Sequence, residues 1–281
     1  MTGILNIDKP SGITSGGAVA AARKILGERT VGHMGTLDPM GTGVLILGVG
    51  KAARLFDFFM NKSKTYEAEF CFGYETDTLD KDGAIQKSGG AVPSRGAIEA
   101  AAKKFVGKIM QTPPRYSAKN IGGRRAYDLA RRGEDFELKP ARIEIYAVDV
   151  LSQTDENTYK FRVECSSGTY IRSLCRDIAY AAGTLATMTS IRRTRCGDFS
   201  VGSSVPLDAL SPDSLIPLSE IFKDAARLDL DIGLYKTLKN GVKIPLAPQK
   251  TEPFAVWCGG ELWGLGRVSD GYLRLNPYLY G

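Results

Sequence analysis

The chain has 281 residues, room for one large domain or a large and a small one. Hydrophobic residues make up 43% and charged residues 24%, the balance of a folded globular protein, which excludes extensive disorder. Lys+Arg 37 against Asp+Glu 31 gives +6, a modest excess in keeping with a polyanionic partner, while five scattered cysteines with no C-x-x-C pair exclude a disulfide framework and a zinc ribbon.

The first residues, MTGILNIDKPSG, lack a charged stretch with an apolar core behind it, so no signal peptide is expected, and the longest apolar runs fall far short of a membrane span. Reduced thiols and a cytoplasmic location fit this pattern. Ser15 is placed to cap a helix reaching about Leu26, with Gly27 as its stop. Residues 32–51, GHMGTLDPMGTGVLILGVGK, crowd glycines around one Asp-Pro pair and the only histidine. Within them Val44–Leu47 reads as a short strand, followed by a helix from about Ala52 to Met60. KTYEAEFCF alternates strictly: Tyr66, Ala68, Phe70 and Phe72 share one face, the mark of a half-exposed strand in an antiparallel or mixed sheet. Residues 76–93 are polar and turn-rich. Ser94 then opens a helix with Ile98, Ala101, Ala102 and Phe105 on one face and Gly107 at its end.

Segment 113–132 sets Arg115, Lys119, Arg124, Arg125, Arg131 and Arg132 against a single acid, Asp128. Strand patterns return at Arg142–Leu151 and at 158–165. After an SSG turn, residues 169–183 read as a helix whose Ile171, Leu174, Cys175, Ile178, Ala179 and Ala182 form an apolar stripe, with Arg172 and Arg176 away from its centre. Arg172, Arg176, Arg192, Arg193 and Arg195 form a second basic cluster, and two such clusters point toward a phosphate backbone. From Val205 to about Ala226 the composition turns to Pro, Ser and Asp, which places a domain boundary near residue 226. The remainder reads as short β segments with Gly turns, a small unit with a thin core that docks on the larger one. Alternating helical and strand periods give a mixed α/β class. One histidine and scattered thiols leave few transition-metal ligands, so no metal site is expected.

Three readings compete for residues 32–51. A phosphate loop fails letter by letter: Leu45 stands where the first glycine belongs, and Ala52 replaces the Ser or Thr after Lys51. GVGKAA after VLIL matches a dinucleotide-binding turn, with Glu69 near the distance of a ribose-binding acid. The next strand alternates, however, instead of being continuously apolar. A plain Asp-Pro turn is common but leaves HMGT and MGTG unexplained. A loop presenting Asp38 to a substrate, with glycines allowing close approach, accounts for the stretch and fits the basic surface.

At this point the residues resemble a known family. GILNIDKPSGITS, GHMGTLDPMGTGVLILGVGKAARL, KTYEAEFCFGYETDTLDKDG, PPRYSAKNIGGRRAYDLARRG and CSSGTYIRSLCRDI are similar, in order and over roughly residues 3–200, to the TruB-type tRNA pseudouridine-55 synthases. Departures are small: Met34 stands where Thr is frequent, and Gly41 where Ala is. The resemblance implies an α/β (α+β) fold with a mixed, largely antiparallel central sheet flanked by helices and loops. It also implies a catalytic domain over 1–225 with an RNA-clamping insertion at about 76–106, and a small β-rich PUA-like RNA-binding domain over 226–281. The implied activity is isomerisation of uridine to pseudouridine in the TΨC loop of tRNA after the base is flipped out. The implied enzyme is a monomer that needs no cofactor and no metal, with the tRNA T-arm as partner.

Residue by residue, Asp38 matches the family's catalytic aspartate, acting as nucleophile or base, and Arg172 matches its arginine partner, whose charge offsets the cost of burying a carboxylate. Tyr66 matches the tyrosine stacked on the uracil, and Ile191 an apolar pocket residue. The resemblance sends His33 into the tRNA loop to fill the space of the displaced base. Lys9 and Arg54 contact phosphate or support the Asp38 loop. Two other classes remain to be separated from this one: a non-catalytic tRNA-binding or RNA-folding protein, and a dinucleotide-dependent oxidoreductase.

Overall fold

In the computed structural model, which describes residues 1–280, the chain opens with β1 (Gly3–Lys9), α1 (Ser15–Leu26), β2 (Val31–His33), β3 (Thr42–Val49), α2 (Phe56–Met60) and β4 (Lys64–Phe72). Next come β5 (Tyr74–Thr76), β6 (Ile85–Ser88), α3 (Arg95–Lys103), β7 (Gly107–Gln111), β8 (Asn120–Ile121), β9 (Arg124–Arg125) and α4 (Ala126–Arg131). Then follow β10 (Ala141–Asp155), β11 (Thr158–Cys165), α5 (Ile171–Ala181), β12 (Ala186–Cys196), β13 (Phe199–Ser200), β14 (Val205–Pro206) and α6 (Leu218–Ile221). The chain closes with β15 (Arg227–Leu230), α7 (Tyr235–Lys239), β16 (Phe254–Cys258), β17 (Glu261–Ser269) and β18 (Tyr272–Tyr278).

A ten-stranded sheet runs β14-β1-β3-β12-β4-β11-β10-β7, with β2 beside β3 and β13 beside β12. Only β1–β14 and β3–β12 pair in parallel, so the sheet is mixed and largely antiparallel. β4 alternates buried and half-buried residues along its whole length, as its sequence requires. Its inner face (Tyr66, Ala68, Phe70, Phe72) joins Phe161 and Val163 of β11 and the stripe of α5 in one core, which α3 also covers through Ile98, Ala101 and Ala102. β3 is buried on both faces, and for that reason it reads as an unbroken apolar run. Its Leu45, Leu47 and Val49 meet α1, while Val44 and Ile46 meet Phe59, Trp257, Leu265 and Leu279. The four-stranded sheet β15-β16-β17-β18 therefore packs its own core around Trp263 and lays a second apolar surface against the large sheet.

Four local expectations shift. Thr14, not Ser15, caps α1: its extended backbone lets the side chain accept the Gly17 N–H at 2.9 Å. The helix expected from Ala52 is a 3₁₀ turn over Gly50–Leu55 and becomes α only at Phe56. Gly107 lies beyond α3, which ends at Lys103; at φ +104 it starts β7 instead. α5 is shorter than its pattern, because Tyr170 is held extended by Gln111, which both donates to and accepts from it.

Candidate active site

The loop between β2 and β3 carries Asp38. Asp38 O accepts the Gly41 N–H at 2.9 Å, closing a turn with Asp first, Pro second and Gly fourth. The Asp-Pro turn is thus present, and it is this turn that carries the Asp38 carboxylate. Nearly every other peptide of the loop is tied from beneath. Ser15 Oγ accepts the Leu37 N–H at 2.9 Å and donates to Leu37 O at 3.0 Å. Gly12 N and Lys9 Nζ donate to Pro39 O at 2.9 and 3.1 Å, and Ser11 Oγ donates to Met40 O at 3.1 Å. Replacing Ser15 with Ala would leave two buried backbone groups without partners. We expect a loss of about 1–3 kcal/mol in denaturant unfolding, and an unchanged midpoint would contradict this account of the loop.

A side chain at Gly43 (φ +98) would collide with the Arg193 carbonyl, and one at Gly48 with Met34 and Ala52. At these two positions the missing side chain makes room for this protein's own atoms, the β12 backbone at Gly43 and the Met34 side chain and 3₁₀ turn at Gly48.

Arg172 lies on the first turn of α5 and is 6% exposed, although its sequence position suggests a solvated helix face. Its Nη2 donates to Asp38 Oδ1 at 3.0 Å and to Tyr116 O at 3.1 Å. Its Nη1 donates to Thr78 O at 3.0 Å and stands 3.3 Å from Asp80 Oδ2. Asp38 keeps 29% of its side chain exposed, so one oxygen is anchored while the residue stays reachable. Asp80, Thr78 and Tyr116 were not singled out in the sequence. They sit in turn-rich segments whose letters look like surface loop, and only the tertiary fold brings them to residue 172. Burial pushes the Asp80 carboxyl up, against the pull of the Thr78 hydroxyl and the Arg172 guanidinium.

Leu37 and Met40, which flank Asp38, share one buried cluster with Tyr66, Ile171 and Ile191. The expected pocket tyrosine and apolar residue therefore share a cluster with the two residues that flank the carboxylate. Burial pushes Tyr66 up to about 12, so it is a neutral phenol at physiological pH. His33 ends β2 half-buried, with Nδ1 lacking any hydrogen-bond partner in the structure. Burial, with Arg193 and Arg125 nearby, holds it below the ordinary histidine range.

Two residues expected at phosphate or at the loop divide. Lys9 is fully buried and bonds Pro10 O, Ile13 O and Pro39 O, so it supports the loop. Burial brings it down to about 8, with Asp38 opposing that shift. Arg54 is exposed and is not among the residues that bond the Asp38 loop. It donates to Tyr278 O at 2.9 Å, and with Lys51, which bonds Tyr280 O, it ties the large sheet to the end of the chain. Most of the second basic cluster is not free surface: Arg172 and Arg193 are buried, Arg192 forks onto Asp8 at 2.7 and 3.1 Å, and Arg176 is paired with Asp177, while Arg195 is exposed and donates to Gly197 O. In the first cluster Arg115, Arg124 and Arg132 meet Glu134 or Asp135, whereas Arg125 and Arg131 are exposed and have no carboxylate partner among the described residues.

This fold recurs in solved structures. A Cbf5–Nop10–Gar1 complex matches with a TM-score of 0.73 at 24% identity, over 99% of this chain and 85% of that one. An H/ACA RNP bound to a substrate RNA containing 2′-deoxyuridine matches with a TM-score of 0.71 at 23% identity, over 99% and 85%. These two likenesses show the fold; the class, that of pseudouridine synthases, comes from the family models and relatives that follow. The family model for the TruB family pseudouridylate synthase N-terminal domain matches residues 23–171, and that for the tRNA pseudouridylate synthase B C-terminal domain matches 172–220. A tRNA pseudouridine synthase B of Clostridium acetobutylicum is 42% identical over 87% of this chain and 86% of its own. One of Gloeobacter violaceus is 46% identical over 75% and 73%. The chain belongs to the TruB family of pseudouridylate synthases.

Proposed function

We propose that this protein converts uridine to pseudouridine at position 55 in the TΨC loop of tRNA, with Asp38 as the group that acts on the nucleoside. The N1–C1′ bond breaks and a C5–C1′ bond forms; the base loses a proton at C5 and gains one at N1, so the isomerisation needs no oxidant, reductant or phosphoryl donor. The observation that carries the reading is the carboxylate of Asp38, fixed at 3.0 Å from a buried arginine on a fully tied turn and still partly open. Such a group is placed to act as nucleophile or base on a flipped-out uridine, with Tyr66 and Ile191 as apolar walls and His33 filling the vacated stack. The names of the relatives support tRNA as the substrate. On this reading residues 1–225 are the catalytic domain, the segment around 76–106 clamps the RNA arm, and the C-terminal sheet is a PUA-like RNA-binding domain. The protein acts in the cytoplasm as a monomer.

The test is incubation with an unmodified tRNA transcript, then carbodiimide derivatisation and mass spectrometry, because the product has the mass of uridine. One derivatised uridine in the T loop is expected; none would end the proposal.

Arg125 and Arg131, the exposed arginines of the basic segment that have no carboxylate partner among the described residues, are assigned to phosphates. Replacing both with Ala should weaken tRNA binding and flatten the dependence of log affinity on log salt by roughly 0.7–0.9 per residue. Filter binding across a salt series reads this, and an unchanged slope would remove that face from the RNA interface.

A further inference from the structure

We propose that Arg193 is a positioning residue for the isomerisation, its buried guanidinium setting where Asp38 stands relative to Tyr66. The proposal rests on the reading that Asp38 acts on the nucleoside, and it concerns a residue that touches neither Asp38 nor an exposed surface.

Arg193 is 3% exposed and lies on β12 between the two strands that matter. On one side it pairs in register with Gly43, where the Asp38 loop enters β3; on the other it pairs with Tyr66 of β4. A register shift follows immediately, between Arg193 and Arg195, and such bulges re-aim side chains. Here the guanidinium reaches back under the loop. Nε donates to Val44 O at 2.7 Å, Nη1 to Thr36 O at 3.3 Å and Nη2 to Gly35 O at 3.3 Å. Gly35 and Thr36 lead into the Asp38 turn, and Val44 leads out of it. One planar group thereby spans both arms of the loop.

No carboxylate lies within ion-pair distance of Arg193 among the described residues. A guanidinium buried without a counter-charge is unfavourable unless its donors are satisfied; here three backbone carbonyls accept from it, and the Tyr66 hydroxyl lies against it as well. Those contacts survive only while the two arms keep their spacing, so the charge and the loop geometry hold each other. The same charge is felt around the pocket. It contributes to holding Lys9, His33 and Lys64 down, and it opposes the upward push of burial on Tyr66. Lysine cannot reproduce the arrangement, because one ammonium cannot span Val44 O and Gly35 O as a fork does.

The experiment uses the full chain with Arg193→Lys and Arg193→Gln, measuring thermal melting, tRNA affinity and the single-turnover rate with saturating enzyme. The expected result for a folded variant is a rate at least about tenfold lower with tRNA affinity within about twofold of wild type, the pattern of a displaced catalytic group. A rate equal to wild type in either folded variant would overturn the proposal. So would a parallel loss of rate and affinity, or failure of both variants to fold, each of which makes Arg193 a fold support only. Absence of conversion by the wild-type protein would instead sink the proposed function, so the two failures are distinguishable.

Discussion

Asp38→Asn is expected to lower the single-turnover rate of pseudouridine formation by at least about 10⁴-fold while tRNA binds as before. The substitution keeps the size and shape of the side chain, and Asn is as acceptable as Asp at the first position of the turn closed by Gly41 N. It also keeps an oxygen able to accept from Arg172 Nη2. What it removes is the negative charge, and with it any capacity to add to carbon or take a proton. Arg172 retains Asp80 as its anionic neighbour, so the core is not left with an unpaired cation. The measurement is conversion under enzyme excess, with filter binding of the same transcript. Wild-type affinity without conversion would separate an enzyme from a protein that only binds tRNA. Conversion within tenfold of wild type would remove Asp38 from its assigned role.

How much of this could be read from the letters depends on the range of the interaction. The alternation of β4 is a local signal and survives intact, because period-two burial is set by residues next to one another. The Asp38 turn is equally local: Asp, Pro and Gly specify it within four residues. Arg172 shows where local reading ends. Its helix has a stripe, and 172 lies off the stripe, which in an isolated helix means solvent. Residues 78–80 and 116 cover that flank, 94 and 56 positions away in sequence from their bonds to Arg172, and convert an exposed position into a buried hub. Position 193 fails for a similar reason: an arginine in a basic run looks like surface until the register of β12 puts it beneath a loop from another part of the chain. At Gly43 and Gly48 the letters could not show that the space a side chain would fill is taken by distant parts of this same chain. The contact of Arg54 with Tyr278 O is equally out of reach of local reading, since it joins positions far apart in the chain.

Arg172→Lys is expected to cost about 100-fold or more in the same rate, with a far smaller effect on tRNA affinity. The guanidinium uses its two terminal nitrogens for four partners in different directions: Asp38 and Tyr116 O from Nη2, Thr78 O and Asp80 from Nη1. An ammonium on a flexible stem carries the charge but not the fork, and it can sit beside one carboxylate or the other. Asp80 is the more buried of the two, and its carboxyl is already pushed up by that burial, so the remaining charge is drawn toward it and Asp38 loses its anchor. A displacement of about 1 Å in a catalytic group is enough for a loss of order 10²-fold. Arg172→Met separates stability from geometry: it leaves Asp80 buried without a cation and should destabilise the fold by about 3–5 kcal/mol, the cost of breaking a buried pair. If Lys at 172 supports a wild-type rate, the fork is dispensable and charge alone is what Asp38 requires. If Met at 172 unfolds at the wild-type denaturant concentration, Arg172 is not the centre on which the loop, the 77–83 segment and α5 converge.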